Sequence, residues 1–521
     1  MKNNLTYNTS PSEYAESLGS EFVSRKSKND ISSLGQFFTP KAIAEMVAND
    51  FEECSANAVR ILDPGAGSGI LSCALCEAIA GWDSKPKKIK LSAYEIDTEL
   101  VSALNESLTY LKKWLIKHGI SLEFVVHQKD FVLENAEVLN TSLQQSLLDS
   151  KNFEEFDLIV ANPPYFKIAK SDPRAVAATP IIHGQPNIYA LFMAIAAYLL
   201  KERGQLGFIT PRSYASGLYF KKFRENFFEQ IIPQSIHIFE SRDKAFGKDG
   251  VLQENVILHA RKDKSIDRDS FEVEVSSCDG LSDIANSKSI LIPLEEIISL
   301  ENGHVLHIPT KVEQREIVKI VKSWKYNLHS LGFEVSTGPI VAFRARELLD
   351  SEDLEDSNAP LLWLQNIKTM KVSWPVKSRK PQYVKTSQEA QRLLLPNNNY
   401  VLIRRFSAKE EKKRLVAAPF ISEGGKSKFV GIENHINYIY RKNGSLSDTE
   451  ALGLAAVLNS SLLDEYFRVF SGNTQVSATE LRNIPLPDPD VIERIGKTIK
   501  NRTMDLVEID QKVTNLIRDY A

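Results

Sequence analysis

The stretch that most constrains this chain is Asp157-Leu158-Ile159-Val160-Ala161-Asn162-Pro163-Pro164-Tyr165. Its short apolar run reads as a buried strand. The two prolines end that strand abruptly, because each fixes φ and removes an N–H donor. Asn162 is thereby left on a stiff loop at the strand's carboxyl end, the edge at which open α/β sheets hold their ligands. There the side-chain carbonyl of Asn162 and the main-chain carbonyl of Pro163 make two converging acceptors, with the ring of Tyr165 beside them. Two acceptors and an aromatic face suit a planar group bearing an exocyclic NH2. Read alone, the same residues also make an ordinary strand and a proline-rich turn.

The segments on either side of this stretch set its context. Val59–Asp63 reads as a buried strand that runs into Pro64-Gly65-Ala66-Gly67-Ser68-Gly69 and then a helix, Ile70–Ala80. Glycines at 65, 67 and 69 allow a tight turn and a close approach by a ligand, with helix N–H groups facing inward. No Gly-Lys-Ser/Thr follows, and the spacing is not the full dinucleotide fingerprint. A second strand, Ile89–Tyr94, ends in Glu95-Ile96-Asp97, and a carboxylate at that tip can hold a ribose diol. After a helix over Thr98–His118 comes a third strand, Leu122–His127. Asp130 beyond it could accept from an adenine amino group with Phe131 beside the ring, or could be a solvated turn residue. Past Tyr165 the pattern gives a helix (Tyr189–Leu200), a strand (Gly204–Thr210), a helix (Gly217–Gln230) and two antiparallel closing strands, Ile236–Phe239 and Asn255–Ala260. This alternation predicts a doubly wound, mainly parallel sheet. Ahead of it, Thr39 is placed to cap a helix from Lys41 to about Glu53, with Pro40 in the first turn.

At 521 residues the chain needs two or three domains. No apolar run approaches a membrane span and the N-terminus lacks a signal-peptide core, so no membrane partner is expected. Four cysteines do not staple a chain of this size, and a reducing cytoplasm is the expected compartment. Cys73 and Cys76 sit in an apolar helix with no second pair, which makes them core residues and leaves no metal site. The net charge of −3 argues against a wholly basic coat but allows one basic face. From about Arg261 the strand–helix rhythm stops. Basic and aromatic residues are interleaved here: Phe343-Arg344-Ala345-Arg346, then Trp374 with Lys377, Arg379, Lys380 and Tyr383. Arg404-Arg405-Phe406 follows, with Lys409, Lys412, Lys413 and Arg414 after it. Such clusters suit phosphate contact, although a charged run is more often a solvated face. The Gly424-Gly425-Lys426-Ser427 run reads as a flexible basic turn, and Val491–Tyr520 as one amphipathic helix.

Taken together, Phe37-Phe38-Thr39-Pro40, Asp63 to Gly69, Glu95, Asp130-Phe131 and Asn162-Pro163-Pro164-Tyr165 resemble the S-adenosylmethionine-dependent amino-methyltransferases. The chain looks most like the gamma-class adenine-N6 DNA methyltransferases of type II restriction-modification systems. Specific motifs carry the resemblance over about residues 31–260. Gly431–Ile439 and Ser471–Leu481 resemble segments of the recognition domains of these enzymes. The fold implied is a Rossmann-like methyltransferase sheet followed by a separate mixed α/β target-recognition domain. The boundaries implied are an N-terminal extension (1–34), a catalytic domain (35–262), a connecting region (263–330), a recognition domain (331–487) and a C-terminal helix (488–521).

The resemblance also implies roles. Phe38, Thr39 and Asp63, Pro64, Gly65, Ala66 and Gly67 would wrap the amino-acid part of S-adenosylmethionine. Glu95 with Ile96 would bind its ribose, and Asp130 with Phe131 its adenine. Asn162 and Pro163 would accept from the target amino group, with Pro164 shared between the two sites. Tyr165 would stack on the extruded base, and Phe246, with Phe239 in reserve, would stand against its other face. No Pro-Cys nucleophile is present, which argues against cytosine-C5 chemistry. The expected partners are duplex DNA, lying in a positively charged cleft between the two halves, and a restriction endonuclease as a separate protein. The alternatives are other NH2 groups: cytosine N4, an RNA base or a protein glutamine.

Overall fold

The computed structural model describes residues 9–26, 38–143, 153–182, 184–240, 254–299, 303–352, 358–407, 411–422, 427–472, 475–502 and 504–518. Phe37, Phe246, Lys409 and Gly424 to Lys426 lie outside the described residues. The chain divides into two compact units, residues 1–310 and 311–521. Among the described residues no helix is long and apolar enough to cross a membrane.

In the first unit α1 (Pro11–Arg25) and α2 (Lys41–Asn49) precede the repeating strand–helix units. These are β1 (Ala58–Asp63), α3 (Ile70–Ala80), β2 (Lys88–Tyr94), α4 (Thr98–Lys117), β3 (Ser121–His127) and the short α5 (Phe131–Asn135). After them come β4 (Phe156–Ala161), α6 (Pro173–Ala177), α7 (Ile188–Leu199), β5 (Leu200–Pro211), α8 (Lys221–Gln230), β6 (Ile232–Phe239) and β7 (Asn255–Arg261). With β8 (Glu272–Cys278) and β9 (Lys288–Pro293), these strands form one sheet in the order β3-β2-β1-β4-β5-β7-β6-β8-β9. The first five strands are parallel. Of the expected closing pair, β7 alone reverses direction, lying antiparallel between β5 and β6.

Both faces of this sheet are buried, as a parallel sheet requires. Alternate residues of the central strands feed two cores. Val59, Ile61, Leu158 and Val160 pack with Cys73, Cys76 and Leu104 on one side. Leu62, Ile159 and Ala161 meet α7 on the other. The latter helix is apolar nearly all round and is buried accordingly, with only Tyr198 half-buried among its residues. Burial of Cys73 and Cys76 pushes both thiols up. The sheet does not stop at residue 262, the expected end of the catalytic domain. Val273, Val275 and Ile292 face inward from β8 and β9 and join the core beside α7, so this part of the expected connector extends the sheet.

The second unit opens with α9 (Val312–Lys322) and β10 (Glu334–Thr337). Two sheets follow. One contains β11 (Ala359–Leu362), β12 (Leu394–Pro396) and β15 (Phe429–Ile432), extended by Leu349–Asp350 and Tyr383–Val384. The other joins β10 to β13 (Tyr400–Arg404), β14 (Ala417–Phe420) and β16 (Ile436–Tyr440), all antiparallel. Helices α10 (Asp448–Asn459), α11 (Ser461–Phe470), α12 (Ala478–Asn483), α13 (Pro489–Lys500) and α14 (Leu506–Arg518) complete it. The last two replace the single helix expected over 491–520. Asp488 and Pro489 start α13, and Asp505 restarts the chain by accepting from Val507 and Glu508 N–H at 2.8 Å. Helices α10 and α13 cross with their backbones nearly touching. A β-carbon on Gly453 would collide with the Ile492 carbonyl oxygen, and one on Gly496 with that of Thr449.

The basic run of this unit is only partly a surface feature. Arg344 is exposed and stacks at 5.4 Å on Phe343, which is 79% exposed. Arg404 instead donates to the Ile367 carbonyl at 2.8 Å and Arg405 to that of Asn434 at 3.1 Å. Arg414 is buried, donates to the Ser407 carbonyl and lies over the Phe467 ring. A guanidinium satisfied inside the core cannot contact phosphate, so Arg414 leaves the set expected to do so.

Candidate active site

The carboxyl ends of β1 to β4 emerge side by side because the strands are parallel and adjacent. Register pairs Asp63 with Ala93, Tyr94 with His127, and Leu62 with Ile159. Strand order reverses between β1 and β4, the position at which such sheets open a crevice. A cavity of about 250 Å³ lies there. Its lining includes Phe38, Thr39, Pro64, Gly65, Ala66, Gly67, Glu95, Ile96, Asp130, Phe131, Asn162 and Pro164. Residues from five separate stretches of sequence thus share one wall.

The turn after β1 follows from its glycines. Gly67 has φ +54° and Gly69 has φ +86°, a region open to glycine and costly to residues with a β-carbon. A β-carbon on Gly69 would also sit 2.8 Å from Leu104 Cδ1. Gly69 N–H donates to the Ala66 carbonyl at 2.8 Å and Ala66 N–H to the Tyr94 carbonyl at 2.9 Å, which ties the turn to β2. Glu95 completes the tie. It accepts from Gly67 N–H at 3.0 Å, Ile96 N–H at 2.8 Å and Asp97 N–H at 2.9 Å. Burial raises its carboxyl above the usual range, and these three amides pull it back. The lone carboxylate of the sequence is therefore also a brace for the glycine turn.

Asp130 has two partners already. It caps α5 by accepting from Leu133 N–H at 3.0 Å, and it accepts from Arg174 Nε at 2.7 Å. Arg174 lies on α6 and lines the cavity, as do Tyr94, Phe166 and Phe192. None of these four carried a sequence signal apart from Phe166, which directly follows the Asn-Pro-Pro-Tyr stretch. Phe131 packs edge-on against Tyr94, with 5.3 Å between ring centroids, and tilted against Phe192 at 5.1 Å.

Three expected site residues lie behind the lining. Asp63 is fully buried beneath the turn and accepts from the Ser72 hydroxyl at 2.7 Å. Burial raises its carboxyl to about 7, against the pull of the Ser72 and Gly65 hydrogen bonds. Pro163 is buried next to Asn162. Tyr165, expected as an open stacking face, is 7% exposed and lies edge-on to Tyr189, with 6.2 Å between centroids. Its hydroxyl faces two acceptors, Asn162 Oδ1 and the Ile209 carbonyl at 3.1 Å, with one proton to give. Phe239, the reserve for Phe246, is 1% exposed and packs in the core with Ile209 and Ile257, where it cannot face a ligand.

Thr39 also departs from expectation. Pro40, not Thr39, occupies the cap position of α2, and Glu16 of α1 accepts from Lys41 N–H at 2.8 Å. The Thr39 hydroxyl is turned instead to Asn162, whose Nδ2 donates to it at 3.0 Å.

The Eco57I restriction-modification methylase family model matches residues 79–246. Type II methyltransferase M.BsuBI of Bacillus subtilis is 34% identical over 93% of this chain and 94% of its own length. Type II methyltransferase M.PstI of Providencia stuartii is 34% identical over 94% and 93%. Among solved structures, the DrdV–DNA complex covers 95% of this chain and 60% of that one, with 14% identity and a TM-score of 0.49. Near-full-length identity at this level places the protein: the chain belongs to the type II methyltransferases of restriction-modification systems.

Proposed function

We propose that the protein transfers a methyl group from S-adenosylmethionine to the N6 amino group of an adenine in duplex DNA, and so protects that DNA from a separate restriction endonuclease. The observation that carries the reading is the position of Asn162. It stands at the end of β4 and opens on the same cavity as the Gly67 turn, Glu95 and Asp130. The residues fit the cofactor. Glu95 keeps lone pairs for a diol, Asp130 for an amino group, and the Phe131 ring borders the cavity beside it. S-adenosylmethionine, when bound, supplies an electrophilic methyl group on a sulfonium.

The protein's part is orientation and polarisation. Asn162 Oδ1 and the Pro163 carbonyl accept the two N–H bonds of the target amino group, which directs its lone pair and raises electron density on nitrogen. An amino group inside a duplex cannot reach the cavity, so the base must be turned out of the helix. Phe246, ahead of β7 in the sequence, is our choice for the ring on the base's far side.

The test is to sequence modified bases in DNA from a methylation-free host expressing the chain. N6-methyladenine at one short sequence is expected. Methylation confined to cytosine N4, or none in DNA, would reject the assignment. Asn162→Ala should keep cofactor binding and lose methyl transfer by about 100-fold or more, since the contact removed is to the reacting group.

A further inference from the structure

The Asn162 amide is held at both ends by hydroxyl groups. Thr39 Oγ1 takes the proton of Nδ2, and the Tyr165 hydroxyl meets Oδ1. A hydroxyl both donates and accepts, so these two partners do not by themselves choose an amide orientation. In the orientation observed, Oδ1 is available to accept from a target amino group. In the flipped orientation Thr39 would donate to Oδ1, Tyr165 would accept from Nδ2, and the Tyr165 proton would pass to the Ile209 carbonyl, 3.1 Å away. The amide's bonds to both hydroxyls are kept, but Nδ2 then replaces Oδ1 on the working side. A donor would face the donor it must bind.

What separates the two states is the proton of Thr39. This residue is 5% exposed, lines the cavity, and has no further acceptor for its proton among the described residues. Its usual duty at a helix start is discharged by Pro40 and Glu16. An occupant of the cavity that accepts the Thr39 proton leaves Thr39 Oγ1 as an acceptor only, which requires Nδ2 beside it and Oδ1 on the working side. The cofactor's amino-acid part carries such an acceptor, its carboxylate. Sheet order sets Glu95 and Asp130 at the ends of β2 and β3, on the opposite side of β1 from β4. A ribose and adenine held there leave the carboxylate-bearing arm to the β4 side, where Thr39 meets Asn162.

We propose that Thr39 is a positioning residue through which occupancy of the cofactor cavity sets the Asn162 amide in its accepting orientation, so that cofactor and target base bind cooperatively. The proposal rests on Asn162 as the acceptor for the target amino group. Reciprocal coupling of this kind typically amounts to about 5- to 150-fold in affinity.

The experiment measures binding of a duplex carrying the mapped site, with and without S-adenosylhomocysteine, to the wild type, Thr39→Ser and Thr39→Val. S-adenosylhomocysteine should tighten DNA binding about tenfold for the wild type and Thr39→Ser, and leave it nearly unchanged for Thr39→Val. Methyl transfer at saturating cofactor should fall about 100-fold in Thr39→Val only. A Thr39→Val protein that keeps the coupling, or whose one defect is weaker cofactor binding, overturns the proposal. A second arm needs no variant: methylthioadenosine, which lacks the amino-acid part, should occupy the cavity of the wild type without tightening DNA. Equal tightening by both compounds also overturns it. Failure of the underlying reading shows separately, as normal methyl transfer by Asn162→Ala.

Discussion

Asp63 shows how burial at a single position turns into a dependence on pH. Its carboxyl is raised from an ordinary 3.8 to about 7, chiefly by desolvation. A group whose folded pKa lies above its unfolded value stabilises the protein fully at low pH and loses that contribution as pH rises through the folded value. The Asp63 contribution is therefore complete below about pH 4 and gone by somewhat above pH 7. In Asp63→Asn the melting temperature should fall less steeply than in the wild type between pH 4 and 7, and parallel profiles would refute the account. Sequence showed where such residues stand: strand ends and a glycine turn pointed to Gly67, Glu95, Asp130 and Asn162, and all of them line one cavity. Partners were not legible. Thr39 meets a residue 123 positions away, and Tyr165 turns its hydroxyl to Asn162 and β5, choices made by tertiary approach that no local pattern records.

Helices α10 and α13 depend on two glycines at their crossing, and here the test is one of packing. No side-chain shift relieves a clash with a backbone carbonyl, so Gly453→Ala or Gly496→Ala must push the helices apart. Each should lower stability by about 1–3 kcal/mol or more, read as a drop in the urea midpoint. A midpoint unchanged in both variants would mean that the helices do not approach so closely. Elements with strong periodicity, such as α3 and β1 to β4, are legible because both faces of each are committed to a core. Strands β8 and β9 are less so, since they lie beyond Arg261, where the strand–helix rhythm stops, and β9 buries little besides Ile292. The two last helices are distinct because α13 ends at its Asn501 cap and Asp505 accepts from Val507 and Glu508 N–H at the start of α14.

At the scale of the whole molecule, chemistry and sequence choice are expected to reside in different units. Residues 1–310 contain the entire cavity, and residues 311–521 contain the exposed Phe343 and Arg344. Arginine and aromatic side chains read bases and phosphates, and phosphate contact alone carries no sequence information. Replacing residues 311–521 with the matching part of a relative of different specificity should move methylation to that relative's site, as mapped by modified-base sequencing. Retention of the original site would reject this division.

Strand β7 lies between β5 and β6 although it follows both along the chain, and this has a consequence for biosynthesis. As the polypeptide leaves the ribosome, β6 emerges before the strand that joins it to the rest of the sheet. Until Arg261 is out, β5 and β6 each present an unpaired edge, and such edges invite pairing with the wrong chain. A nascent chain halted before Asn255 already carries the residues that line the cavity, yet lacks the strand that locks β5 beside them. Translation pausing or premature termination in that window should therefore favour aggregation over a working fragment.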